Sequence, residues 1–351
     1  MLVVTALEAR YATRTSWHFF NLAATLVFGR SAPSAGGGLA VYAVYPKLQF
    51  GPFSIVAAEA LRVASLGHGA AAASVVMGAL APVILWLVLD TRRIARGDDG
   101  TLPLATAVGA ALVLPAVWSY LSVFSLHLDD ALAVALAALA LWGVAKRSDL
   151  VVGIGLGLAM AAKPWAAAFL PLVLALPAGR RTRAGLGALG ICAIQWLPFL
   201  AGASGTMTAL SHFTIRNAPD SALRALGVHD AVTPSWDRVT QVVVGAAAGV
   251  WCARTGRWPA VLMAAAAVRL AIDPGTHRYY VAGIVVFVLA WELITARWRV
   301  PVLSLAIAVA LLLPHRMHLP YPLAGDIRLV AYVVVVACAL LVKGPTTVAR
   351  R

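Results

Sequence analysis

The sequence predicts an all-α protein, a single polytopic integral membrane bundle of about ten or eleven helical segments. Composition is the first reason. Of 351 residues, 61% are hydrophobic and 12% charged, against about a quarter charged in an ordinary soluble chain. Such an apolar excess needs lipid as its solvent. Charge placement is the second reason. Arg92-Arg93-Arg96, Lys146-Arg147, Arg180-Arg181-Arg183, Arg254-Arg257, Arg297-Arg299 and Lys343-Arg350-Arg351 occupy alternate gaps between long apolar runs, and the gaps between them carry Asp, His and Tyr. Lys and Arg collect on the cytoplasmic side of membrane proteins. The acid- and histidine-bearing gaps are therefore expected on the extracytoplasmic face of the plasma membrane. No strand alternation is present, which excludes a barrel.

A helix needs about 20 apolar residues to cross a bilayer. Residues 70–89 fit and end at the first basic cluster; 102–124 return, and 131–145 end at Lys146-Arg147. Residues 151–162 and 165–176 are each short for a crossing, and they read as half-helices meeting at a break around Lys163-Pro164. Residues 186–200 lead outward to 201–238, the longest polar stretch. Runs at 239–253, 258–272, 279–294, 302–313 and 329–342 complete a transmembrane unit over 70–343, and 344–351 form a cytoplasmic tail.

Residues 1–69 read differently. The run 17–28 is short and aromatic at one end, suited to lying at an interface. Gly36-Gly37-Gly38 is a turn, Tyr42 to Pro52 with Gln49 a polar-aromatic loop, and 53–66 a surface helix carrying Glu59 and Arg62. All of this belongs on the outer face. Only 1–7 is left as the stub of a missing or truncated first transmembrane helix.

Several function classes drop out. The net charge of +14 reflects basic clusters facing an anionic leaflet. No basic face interleaved with aromatics offers a nucleic-acid site. Cys192, Cys252 and Cys338 lie in apolar runs without metal-ligand spacing and read as small core residues. Met1 to Arg10 lacks the plan of a signal peptide. There is no phosphate-binding Gly-rich loop, dinucleotide fingerprint, zinc spacing or Ser-His-Asp order. Nucleotide cofactors are not expected, so a reaction on the outer face must draw its energy from a membrane-borne donor.

Three constellations could carry chemistry. His127-Leu128-Asp129-Asp130 opens a helix; one Asp suffices to cap it, and a second acid beside a His points to a site. That pair could bind a divalent metal, hold a sugar hydroxyl, or supply a general base. Lys163-Pro164-Trp165 sets an ammonium at membrane depth, where a charge is costly. Snorkelling would explain the Lys alone, but the Pro also frees backbone groups and suggests a cavity, and phosphate is the natural partner of a point charge. The third group is Arg269, Asp273, Pro274, Gly275, His277, Arg278, Tyr279 and Tyr280. Arg269 and Asp273 are spaced for an i,i+4 ion pair, and the rest mix phosphate-binding with sugar-stacking types. His68, His229, His315 and His318 read as solvated. Arg216, Asp220, Arg224 and Asp237-Arg238 read as loop ion pairs of little weight.

Taken in order, Trp17-His18-Phe19-Phe20, Leu39 to Pro52 with Tyr42 and Gln49, His127-Leu128-Asp129-Asp130-Ala131, Gly157-Leu158-Ala159 with Lys163-Pro164-Trp165, and Arg269 to Tyr280 resemble actinobacterial multi-pass proteins. Those are related to the GT-C superfamily of membrane glycosyltransferases, near the polyprenyl-phosphomannose-dependent family 87. The resemblance implies a GT-C-like bundle with an outer-face site. The implied reaction is inverting transfer of a sugar, mannose or a pentose, from a polyprenyl-phosphate donor to an envelope glycan or glycolipid. It makes Lys163, Arg269, His277 and Arg278 the phosphate-side candidates and Asp129 or Asp130 the base. His127, Trp165, Asp273, Tyr279, Tyr42 and Gln49 complete the expected substrate wall. The chain departs from the family where its acid is expected: Thr15-Ser16-Trp17 stands there, and Glu8 is the sole acid before Glu59. A carrier or flippase for a lipid-linked sugar, or an inactive scaffold of the same fold, are the alternatives.

Overall fold

The computed structural model describes residues 15–29, 37–97, 102–295 and 300–342. The expected stub at 1–7, Glu8, Gly36, the Arg297-Arg299 cluster and the tail 344–351 lie outside these residues. Helices dominate in chain order: α1 Thr15–Phe28, α2 Val41–Val44, α3 Pro52–Ala64, α4 Gly69–Arg96, α5 Leu104–Ser119, α6 Leu128–Ala145, α7 Asp149–Ala162, α8 Ala178–Gly202, α9 Gly205–Ser211, α10 Ala222–Ala225, α11 Asp237–Arg254, α12 Val261–Ala271, α13 Arg278–Thr295, α14 Val302–Met317 and α15 Tyr321–Leu341. Among the described residues the sole β pairing is one bridge, Arg216 with Val232.

Among the described residues six helical stretches are long and apolar enough to cross a membrane, namely Gly69–Arg96, Leu104–Ser125, Leu128–Ala145, Ala178–Gly202, Arg278–Thr295 and Tyr321–Leu341. Shorter apolar helices at Asp149–Ala162, Pro164–Ala175, Trp258–Ala271 and Val302–Met317 fill the spaces between them. A multi-pass membrane protein follows from these lengths. The last helix starts at Tyr321, eight residues ahead of the apolar run read from sequence at 329. Its polar first turns fold because Arg328 is buried on a partner, Asp220, at 2.6 Å.

The basic clusters close helix ends at one end of the bundle. Arg92 and Arg96 on α4 donate to the carbonyls of Leu293 (3.0 Å) and Ile294 (2.9 Å) at the C-terminus of α13, which lacks intrahelical partners there. Glu292, buried in the same turn, accepts from the Leu303 (2.7 Å) and Ser304 (2.8 Å) amides that open α14. Asp90 gathers Arg93 (2.6 Å), Lys146 (3.3 Å) and the Trp142 indole (2.8 Å).

At the opposite end two irregularities set the site. The α5 helix widens into a π turn, Tyr120–Ser125, and Leu126 follows with φ of 46°, a strained setting for a non-glycine residue. This turns His127 inward. The second is the predicted break. Pro164 has no amide and disfavours helix in the residue before it; Lys163 is extended at φ −144°, ψ 112°, and Pro164–Ala175 continues as a 3-10 helix. The freed Ala162 carbonyl accepts from the Gly51 amide (2.7 Å) and the Ser54 hydroxyl (3.2 Å). A Cβ on residue 51 would overlap the Ala161 carbonyl oxygen, which is why glycine stands there. Thus the loop before α3 locks against the break, and a long-range contact secures both.

Candidate functional site

The two irregular segments bring separate stretches of chain around one cavity of about 670 Å³. The start of α6 contributes His127 and Asp129, the helix break Lys163 and Trp165, and the end of α12 Arg269 and Asp273. His277 and Tyr279 come from the turn into α13, and Gln49 from the loop ahead of α3. Sequence separation does not matter once the break and the π turn face each other.

An ion network lies at its floor. The Lys163 ammonium contacts Asp129 closely and Asp130 at 3.3 Å. His127 Nδ1 reaches Asp129 at 2.6 Å and Asp130 at 2.8 Å. Both acids are buried, so each charge needs this compensation. Burial disfavours a proton on His127, but the two carboxylates outweigh it and raise its pKa. The His127 ring stacks on Tyr279 at 3.8 Å, and Tyr279 stacks on His277 at 5.0 Å. The His277 residue is exposed, but desolvation of its ring against the cavity wall lowers its pKa.

A second cluster flanks the first. Arg269 pairs with Asp273 at 2.9 Å, as its spacing predicts, and its guanidinium lies over Trp165 (4.7 Å) and Tyr280 (4.8 Å). Asp273 also accepts from the Gly275 amide at 2.7 Å. The buried Nε of Arg269, the indole N–H of Trp165 and the Nε of Arg238 have no hydrogen-bond partner among the described residues. Unmet buried donors are costly, and these three belong to residues that line the same cavity. Lys47 adds a further cation to the wall.

The remaining wall is apolar: Trp196 and Leu200 from α8, Met207 and Leu210 from the α9 region, Phe213 and Val242. Exposed Ile194, Leu197, Val239 and Val243 flank it on α8 and α11. The arrangement can therefore hold an anion and a long apolar chain at once.

Three expected site residues sit elsewhere. Tyr42 is fully buried behind the wall, its hydroxyl donating to the Phe50 carbonyl at 2.9 Å and its ring against Trp196 and Phe199. Arg278 is exposed and does not line the cavity. Asp130 faces a small adjoining cavity instead. Asp129 and Asp130, read from sequence as the base, are occupied with Lys163 and His127. As for a metal, His127, Asp129 and Asp130 offer donor atoms within 4.8 Å of one another. However, the Lys163 ammonium already bridges both carboxylates, so a divalent ion would have to displace it.

Sequence reading missed Asp237, Arg238 and Gln241. All three line the cavity; no Asp237–Arg238 ion pair forms among the described residues. The i,i+4 spacing of Asp237 and Gln241, bonded at 2.8 Å, was the available signal. Asp220 pairs with Arg328, not within its loop, and accepts from Thr276 at 3.0 Å. His315, expected in solvent, lies 2.9 Å from Arg328. The chain matches no protein-family model, no curated protein and no solved structure.

Proposed function

We propose that the chain is a GT-C-like membrane glycosyltransferase that moves a sugar, mannose or a pentose, from a polyprenyl-phosphate donor to an envelope glycan or glycolipid. In this reading the site opens on the extracytoplasmic face of the plasma membrane. One observation carries it: a single cavity joins cations and unmet buried N–H donors to an apolar wall flanked by exposed apolar helix faces. A phosphate esterified to an isoprenoid uses both halves. Free phosphate would leave the apolar wall idle, and a simple lipid would leave the donors unmet.

The chemistry is coherent with these residues. Lys163, Arg269, Arg238 and Lys47 stabilise the phosphate as it departs from the anomeric carbon, the largest single contribution available to such a site. His277, stacked on Tyr279, presents a flat ring for the sugar. Asp129 and Asp130 hold the Lys163 ammonium in place.

Binding tests the reading. In nanodiscs, farnesyl phosphate should bind at least about tenfold more tightly than farnesol, since a hydrogen bond to a charged group contributes about 1.5–3 kcal/mol. Arg238→Gln should remove about ten- to a hundredfold of that affinity on the same basis. Equal affinity for farnesol would remove the phosphate from the reading. Binding with translocation across vesicles but no sugar transfer would mark a carrier, and binding with neither an inactive scaffold.

A further inference from the structure

Among the described residues three carboxylates line the cavity, and two are engaged by cations. Asp129 meets Lys163 and His127; Asp273 meets Arg269. The third is Asp237, the first residue of α11, fully buried. Its Oδ2 accepts from Gln241 Nε2 at 2.8 Å, and its Oδ1 has no partner among the described residues. No ion pair involves it among the described residues. A side chain serving only to cap α11 would not leave a buried acceptor unmet beside a cavity.

We propose that Asp237 is the general base of the transfer reaction, taking the proton of the acceptor hydroxyl on Oδ1. This assignment rests on the transferase reading above. The acceptor oxygen, as its proton passes to Oδ1, forms a bond to the anomeric carbon from the face opposite the donor phosphate. The bond from that carbon to the phosphate oxygen breaks, and its electron pair leaves on the phosphate, which the cavity cations stabilise. The product is inverted, and Asp237 returns its proton to solvent.

The surroundings suit the role. Burial and the Asp273 charge push the Asp237 carboxyl up to about 7, against the pull of Gln241, Arg238 and Arg269. Asp273 and Arg269 approach from the end of α12, Arg238 from α11 itself. The 3-10 helix packed along α11 carries no ionisable side chain, and Arg328 on the neighbouring α15 is turned to Asp220. A base near neutrality is the efficient case.

The test uses the full chain in nanodiscs, synthetic farnesyl-phosphoryl mannose and farnesyl-phosphoryl pentoses as donors, and octyl mannoside as acceptor. Asp237→Asn is expected to lower kcat by about 10²–10⁴-fold while farnesyl phosphate binding stays at the wild-type level. The wild-type rate is expected to rise through one ionisation near neutral pH, and Asp237→Asn to lose that limb. Transfer by Asp237→Asn within about tenfold of wild type overturns the assignment and leaves the transferase reading standing. So does a flat wild-type profile between about pH 5 and 9, which decides the matter if the variant does not fold. Absence of transfer by the wild-type chain from every donor overturns both.

Discussion

Lys163 is a largely buried ammonium, held because Asp129 and Asp130 face it. Removing one partner of a buried pair costs about 3–5 kcal/mol, because the other charge stays uncompensated. Lys163→Met should destabilise by that order, and adding Asp129→Asn should recover part of it. Thermal unfolding in detergent reads both, and a single variant that melts with wild type would contradict the network. His127 gives a pH test of the same cluster. Its proton is bound more tightly in the folded chain than in the unfolded one. Its contribution is therefore complete below the ordinary histidine value of about 6.5 and vanishes as pH climbs through the raised folded value. His127→Gln should lower the Tm clearly near pH 5 and little near pH 9, by this linkage; a pH-independent loss would assign His127 a packing role only.

At the scale of elements, the site depends on helices that stop being regular. The π turn before Leu126 and the 3-10 helix after Lys163 both put backbone out of register with an α-helix, which is what lets side chains from neighbouring segments converge. The Gly51 contact holds the break closed from outside. Gly51→Ala forces a methyl into the Ala161 carbonyl, and such overpacking costs about 1–3 kcal/mol. A lowered Tm together with weaker farnesyl phosphate binding is expected, since Gln49 and Lys47 ride on the same loop; unchanged binding would uncouple the loop from the cavity.

Across the whole molecule, one end is held by Arg92, Arg96, Glu292 and Asp90 on helix termini, the other by the cavity and the Asp220–Arg328 tie. Charge segregation along the sequence predicts that these ends face opposite sides of the membrane. With Cys192, Cys252 and Cys338 replaced by Ser, an impermeant maleimide should label His229→Cys in intact cells and Arg147→Cys only after permeabilisation. The reverse result would turn the site to the cytoplasm.

How much of the site was legible depended on context. Lys163 and Arg269 stand out because a charge within an apolar run is rare, and Asp129 because a second acid and a histidine adjoin it; pairing is the reason these charges are tolerated. Asp237 and Arg238 were silent: acids and arginines are ordinary in a polar stretch, and what isolates them is the cavity wall built around them. Tyr42 and Arg278 misled for the opposite reason. Both neighbour site residues in sequence, yet one points into the core and the other into solvent.

Sequence alone determined what depends on near neighbours: the apolar helical stretches, the segregation of charge and the proline break, since each follows from local hydrophobicity or a missing amide. Tertiary structure alone decided which charges meet. Lys163 finds Asp129 across 34 positions and Ser54 finds Ala162 across 108. Such pairings are set by how non-consecutive helices pack, and no periodicity along the chain records that.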